Sequence, residues 1–225
     1  FNRSRANNVD PQLHAETFYW EGEILYNKGD YLGAAAAFAK FSTTPGSYLS
    51  ELHNDADYAR GYAHYKSEKY KDALSAFRSY LETNPDDDPS RMRDAELRTA
   101  DCFYALKSFD QAAEYYDRVL ERGVKPLDYA LFQRSMSAKL DEDLAGQLTR
   151  LNQLLEDHPD SRLVVEALFQ AGRTHIERDE LDKAEAKLLR LVDDFGATPR
   201  AKQALVELCL VGVKQGQEDK VLALW

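Results

Sequence analysis

Residues 56–85, ADYARGYAHYKSEKYKDALSAFRSYLETNP, decide how the rest of the chain is read. Gly61, Tyr70, Ala73, Phe77 and Pro85 are their skeleton. Gly61, in a first helix, lets a second helix come close, because a side chain there would hold the two backbones apart. Ala73 does the same from the second helix. Tyr70 and Phe77 fill the space beyond the close contact, and Leu74 and Leu81 extend that face at helical spacing. Pro85 stops the second helix, since it cannot supply the next N–H. A larger residue at either small position overpacks the pair, at a cost of roughly 1–3 kcal/mol.

The same skeleton returns in register. Its small position is held in turn by Gly22, Gly61, Ala100, Ser135, Gly172 and Cys209, at successive spacings of 39, 39, 35, 37 and 37 residues. Residues 1–12 read as a polar lead-in and 13–225 as one repeat array, with repeats at about 13–45, 56–85, 92–123, 127–159 and 163–196 and a partial one at 200–225. In the turn SEKY, Glu68 stands where the first repeat has Gly29, which implies a negative φ there. Gln147 stands where Ala34, Ala73, Ala112 and Ala184 occur, which implies a looser or differently angled helix pair. The longer spacings put extra residues into the connections TTPGSYLSELHND and TNPDDDPSRMRD, on one edge of the stack.

Composition agrees with short amphipathic helices joined by tight turns: 30% of residues are charged, with 11 Gly and 7 Pro. The net charge of −10 argues against a general binder of nucleic acid or anionic membrane, because an acidic surface repels both polyanions. No apolar run reaches the roughly 20 residues that span a bilayer. Phe1 to Asp10 lacks the apolar heart of a signal peptide. The chain ends at Trp225 inside a helical pattern, where Leu222, Leu224 and Trp225 would need further cover, so it reads as a piece of something longer.

The skeleton resembles the tetratricopeptide repeat, in which a small residue, a post-turn aromatic, an alanine and a closing proline recur in these places. That resemblance implies an all-α fold, a right-handed α-solenoid of about five and a half helix-turn-helix repeats. It also implies that the first helices line a groove, through residues three before and one, four and five after the small position. Those places hold Tyr19, Glu23, Tyr26 and Asn27 in the first repeat and Tyr58, Tyr62, Tyr65 and Lys66 in the second. In the third they hold Leu97, Asp101, Tyr104 and Ala105, while Glu16, Asp55 and Asp94 lie a turn earlier. Tyrosine offers contact area, a polar tip and little entropy to lose, which suits it to holding a peptide. The same rings also serve to pack neighbouring first helices, and both readings stay open.

Chemistry of other kinds finds no constellation. The chain has no Gly-rich phosphate loop, GxSxG, HExxH or CxxC, so no enzymatic activity and no cofactor or metal is expected. Its five histidines never fall three or four residues apart; His64 and His175 face the partner helix of their own repeat and read as packing groups. Cys102 and Cys209 lie three repeats apart and read as free buried thiols. Asp86, Asp87 and Asp88 lack calcium-loop spacing and read as a solvated turn.

Acids among tyrosines suit an extended protein or peptide partner that is basic, or aromatic and proline-containing. An acidic peptide of the kind that a Lys- and Arg-rich carboxylate clamp holds suits them poorly. The expected function is a non-catalytic protein-interaction scaffold, the alternative being a structural or regulatory repeat segment of a larger multidomain protein. Residues 151–208, with DHPDS closing one helix and an Ala-Leu pair opening the next, resemble bacterial envelope repeat proteins of the outer-membrane assembly lipoprotein and TolA-binding types. This implies a periplasmic or outer-membrane-associated place, with the cytoplasm as the alternative.

Overall fold

The computed structural model describes residues 10–84 and 88–217. The lead-in residues 1–9, Pro85, the first two aspartates of the acidic run, and Leu222, Leu224 and Trp225 lie outside the described residues. Secondary structure among the described residues is entirely helical. It falls into two compact units that meet in sequence at Lys125 and Pro126.

The first unit holds α1 (Pro11–Asn27), α2 (Tyr31–Thr43), α3 (Asp55–Lys66), α4 (Tyr70–Thr83), α5 (Pro89–Ala105) and α6 (Phe109–Arg122), with a short 3-10 turn at Ser47–Leu49. The second holds α7 (Asp128–Leu140), α8 (Leu144–Asp157), α9 (Val164–Glu177), α10 (Leu181–Phe195) and α11 (Pro199–Lys214). Within each unit odd and even helices pair as hairpins, and each hairpin packs on the next. This is the all-α repeat architecture that the skeleton implies.

Three first helices share one start signal. Asp10, Asp88 and Thr198 each cap a helix whose first residue is Pro11, Pro89 or Pro199, their side chains accepting backbone N–H groups of the first turn. Proline suits that place because its absent N–H would have had no helical partner. Residues 89–94, PSRMRD, therefore belong to α5 and not to the connection before it, a correction to the expected length of that turn.

The turn between paired helices is uniform. Gly29, Glu68, Lys107, Glu142, Asp179 and Gly216 each lie seven residues after a small position, and all have positive φ, between 57° and 81°. The expectation of negative φ at Glu68 is thus overturned: its φ is 59°. Backbone geometry at this point is set by the hairpin as a whole, and the residue bears the left-handed strain where it is not glycine.

The small positions work as close contacts. A Cβ on Gly22 would lie 2.7 Å from the Phe38 ring, and one on Gly172 would lie 2.6 Å from Leu188. Ala34, Ala73, Ala112 and Ala184 are fully buried on the facing helices. Gln147 is fully buried too, its Oε1 accepting from the Thr174 hydroxyl of α9 at 2.8 Å. That space is filled by a polar contact to the next hairpin.

Candidate functional site

In the first unit, α1 and α3 bound a cleft of about 360 Å3 whose walls include Tyr19, Glu23, Tyr26, Asn27, Tyr58 and Tyr62. These six residues of the expected groove are thus brought together. Asp55 and Arg91 complete the rim, and Phe38 and Ala59 lie among the walls. The 3.6-residue period accounts for the grouping, because residues three and four apart on one helix share a face.

Ring packing fixes the tyrosines from behind. Tyr19 stands edge-on to Phe38 and Phe41, with ring centres 5.3 and 5.5 Å away, and is 8% exposed. Tyr62 meets Phe77 edge-on, while Tyr58 touches Phe77 and Tyr80. Tyr26 stands against Tyr31 across the turn, as Tyr65 does against Tyr70 and Tyr104 against Phe109. Each of these aromatics therefore contributes to its own hairpin whatever else it does.

Polar tips then join one hairpin to the next. The hydroxyls of Tyr58 and Tyr62 both donate to Oδ2 of Asp94 on α5, the first at 2.7 Å. Arg98 reaches Asp94 at 3.6 Å and Asp101 at 2.6 Å, and Asp101 accepts from the buried Tyr116 hydroxyl at 2.7 Å and lies 3.5 Å from that of Tyr65. Arg91 pairs with Asp55. Asp101 is buried in this network, and so it supports the fold more than it faces a ligand. Tyr65 and Tyr104 are half-buried and Lys66 is exposed; none of the three lines the cleft. Leu97 lies in the core and Ala105 is exposed.

Electrostatics follow burial. The Tyr19 hydroxyl is pushed up to about 12, first by burial and then by the charges of Glu23 and Asp55. Burial, with hydrogen bonds to Asp94, pushes Tyr58 and Tyr62 well above the usual value. All three are neutral donors at ordinary pH. Burial also raises Glu23. Its carboxylate makes no hydrogen bond or ion pair among the described residues, although Arg91 stands on the same rim.

Elsewhere, no group of three His, Cys, Asp or Glu fit to hold a metal occurs among the described residues. Cys102 is buried, its thiol raised to about 12 by burial first, so it is not a nucleophile at neutral pH. Cys209, expected to be buried, is half-buried. His64 is held below its usual value by burial, and its Nδ1 is buried without a partner. His175 is 5% exposed and its Nδ1 meets Glu180 at 2.7 Å. No helix is long and apolar enough to cross a membrane among the described residues.

Arg91 is the cleft residue that the repeat pattern alone misses. Its signal lies in Asp88-Pro89, which starts α5 early enough to place Arg91 in a first turn beside Asp55.

Comparison with known proteins matches part of the chain to a repeat family. The tetratricopeptide repeat model matches residues 58–123, which run from α3 to α6. No curated protein matches the sequence. A tetratricopeptide repeat protein from Parabacteroides merdae aligns with a TM-score of 0.70 at 15% identity, over 93% of this chain and 77% of that one. YrrB, described as a TPR protein with an unusual peptide-binding site, aligns with a TM-score of 0.67 at 19% identity, over 90% of this chain and 96% of its own. PilF of Pseudomonas aeruginosa aligns with a TM-score of 0.66 at 11% identity, over 93% and 88%. At such identities the likeness is one of fold.

Proposed function

We propose that this tetratricopeptide-repeat chain is a non-catalytic scaffold that holds an extended peptide, or an extended segment of a partner protein, in the tyrosine-lined cleft of its first two hairpins. That the fold is a protein-interaction framework rests on the repeats themselves. The particular site rests on one observation: Glu23 stands half-buried among Tyr19, Tyr26, Tyr58 and Tyr62, its carboxylate making no hydrogen bond or ion pair among the described residues.

A half-buried carboxylate without a cation is a costly arrangement, and a ligand that brings one relieves it. Tyrosine faces attract a cation as well. A segment carrying Lys or Arg beside an aromatic or proline residue therefore fits this cleft. Asn27, at the end of α1, donates one amide N–H to the Glu23 carbonyl at 2.9 Å and leaves its second N–H and its amide oxygen for the ligand backbone. Tyr65, Lys66 and Tyr104 extend the path toward the third hairpin. On the resemblance of residues 151–208, the scaffold belongs to a bacterial cell envelope.

Fluorescence anisotropy with two labelled peptides tests the reading, one alternating Lys with Tyr and Pro and one replacing each Lys by Glu. The basic peptide is expected to bind at least about tenfold more tightly, the equivalent of one charge-assisted hydrogen bond. Equal affinities would sink the proposal.

A further inference from the structure

The second unit carries a cleft of its own, of about 470 Å3, between α8 and α10. Its charged lining is the reverse of the first: Arg178, Lys183 and Lys187 stand against one carboxylate, Glu180. In a chain of net charge −10 this is a local surplus of cations.

Glu180 is already fully engaged. It meets His175 Nδ1 at 2.7 Å, Arg178 Nε at 3.1 Å and Lys183 Nζ at 3.3 Å. Lys187 is left without a carboxylate partner among the described residues. Its Nζ donates to the neutral amide oxygen of Asn152 at 2.7 Å, and Glu156 acts on it only through its field. Lys187 is half-buried, and burial lowers its pKa, the Arg190 charge adding to the effect. An ammonium has three N–H donors, of which Asn152 takes one. The amide N–H groups of Asn152 make no hydrogen bond among the described residues, so a second donor group stands beside the first.

An under-compensated lysine, a neighbouring free amide and a second lysine on the same helix face are the elements of an anion site. Lys183 and Lys187 lie four residues apart on α10, on one face. Surface carboxylates elsewhere in the chain repel anions, so only such a local surplus holds one.

We propose that the α8–α10 cleft binds a phosphate group, with Lys187 and the Asn152 amide as its donors and Lys183 as the outer cation. Lysine serves phosphate as a point charge, and a phosphate oxygen accepts from several donors at once. The site is independent of the tyrosine cleft and takes ligand chemistry of opposite sign. The phosphate is either free or carried on a partner's side chain.

Amide NMR titration at constant ionic strength tests it, using inorganic phosphate, a phosphoserine peptide, its unphosphorylated form and acetate. The expected result is saturable shifts at Thr149, Asn152, Lys183 and Lys187 with the phosphorylated probes and none with the other two. Lys187→Met is expected to weaken binding by about tenfold or more, while Lys202→Met, on exposed α11 surface, leaves it unchanged. A phosphoserine peptide that binds more tightly than inorganic phosphate identifies a carried group; equal binding identifies the free ion. No saturable shift, equal response to acetate, or equal weakening by Lys202→Met overturns the proposal.

Discussion

Gly61 lies so close to Phe77 that a Cβ built on it would stand 2.7 Å from the ring. The two residues are sixteen apart, and Gly22 with Phe38 and Gly172 with Leu188 repeat the relation. In each the backbone of a first helix rests on a large side chain of the second, and the hairpin closes there.

Gly61→Ala and Gly22→Ala each force a ring or a helix to move. They are expected to destabilise the fold by about 1–3 kcal/mol. Urea unfolding followed by circular dichroism reads this, as a lower midpoint with an unchanged slope. Gly29→Ala, at a positive φ with open space around it, tests backbone strain separately.

The hairpin turns give a prediction of opposite sign. Glu68, Lys107, Glu142 and Asp179 occupy left-handed backbone at exposed positions. Replacing each by glycine removes a strain of roughly 1 kcal/mol per site, less the entropy that glycine adds to the unfolded chain. All four together are expected to raise the melting temperature, near-additively because they lie in different hairpins. A melting temperature that falls would contradict the strain assigned here.

Alkaline pH tests the tyrosine network. Tyr19, Tyr58 and Tyr62 have folded-state values raised above the usual 10.0. Below pH 10 they are protonated in both states and their contribution is fully present. As pH rises past 10 the unfolded chain ionises first, so stability falls, continuing through about 12 for Tyr19. Tyr58→Phe with Tyr62→Phe is expected to flatten that fall between pH 10 and 12, measured by urea midpoints at each pH. An unchanged slope would mean that Asp94 does not hold these hydroxyls in solution.

Asp94 is the hinge of that network. Asp94→Ala removes the acceptor of both hydroxyls and a neighbour of Arg98. The loss is expected at about 1–3 kcal/mol, because half-buried donors are left unpaired. Hydrogen exchange should show α3 and α5 opening first.

Much of this was legible in the residues. The period of the small positions, with Phe38, Phe77 and Leu188 opposite them, specifies the hairpins because close packing tolerates few alternatives. Helical geometry puts the groove residues of each first helix on one face; that the faces of α1 and α3 share a cleft is what the repeat resemblance implies. Glu68 was misread because local preference yields to the closure of the whole hairpin, and no residue type announces that. The contact of Gln147 with Thr174 was not legible because a buried amide depends on a partner in another hairpin. The Tyr58 and Tyr62 contacts to Asp94 escaped for the same reason: they join residues 36 and 32 apart, and register between hairpins is not written in either alone.

That network also decides which variants can test the cleft. Substitutions at Tyr58 or Tyr62 disturb hairpin contacts and binding together, whereas among the described residues the Glu23 carboxylate has no hydrogen bond or ion pair to lose and Tyr26 makes its ring contact with Tyr31. The most direct measurement is therefore the Kd of the basic, aromatic peptide for the native chain and for Glu23→Gln, with melting temperatures taken in parallel. The account predicts an unchanged melting temperature and a Kd raised about tenfold, the loss of one charge-assisted contact. An unchanged Kd with an intact fold would contradict it, because the Glu23 carboxylate would then take no part in holding the peptide.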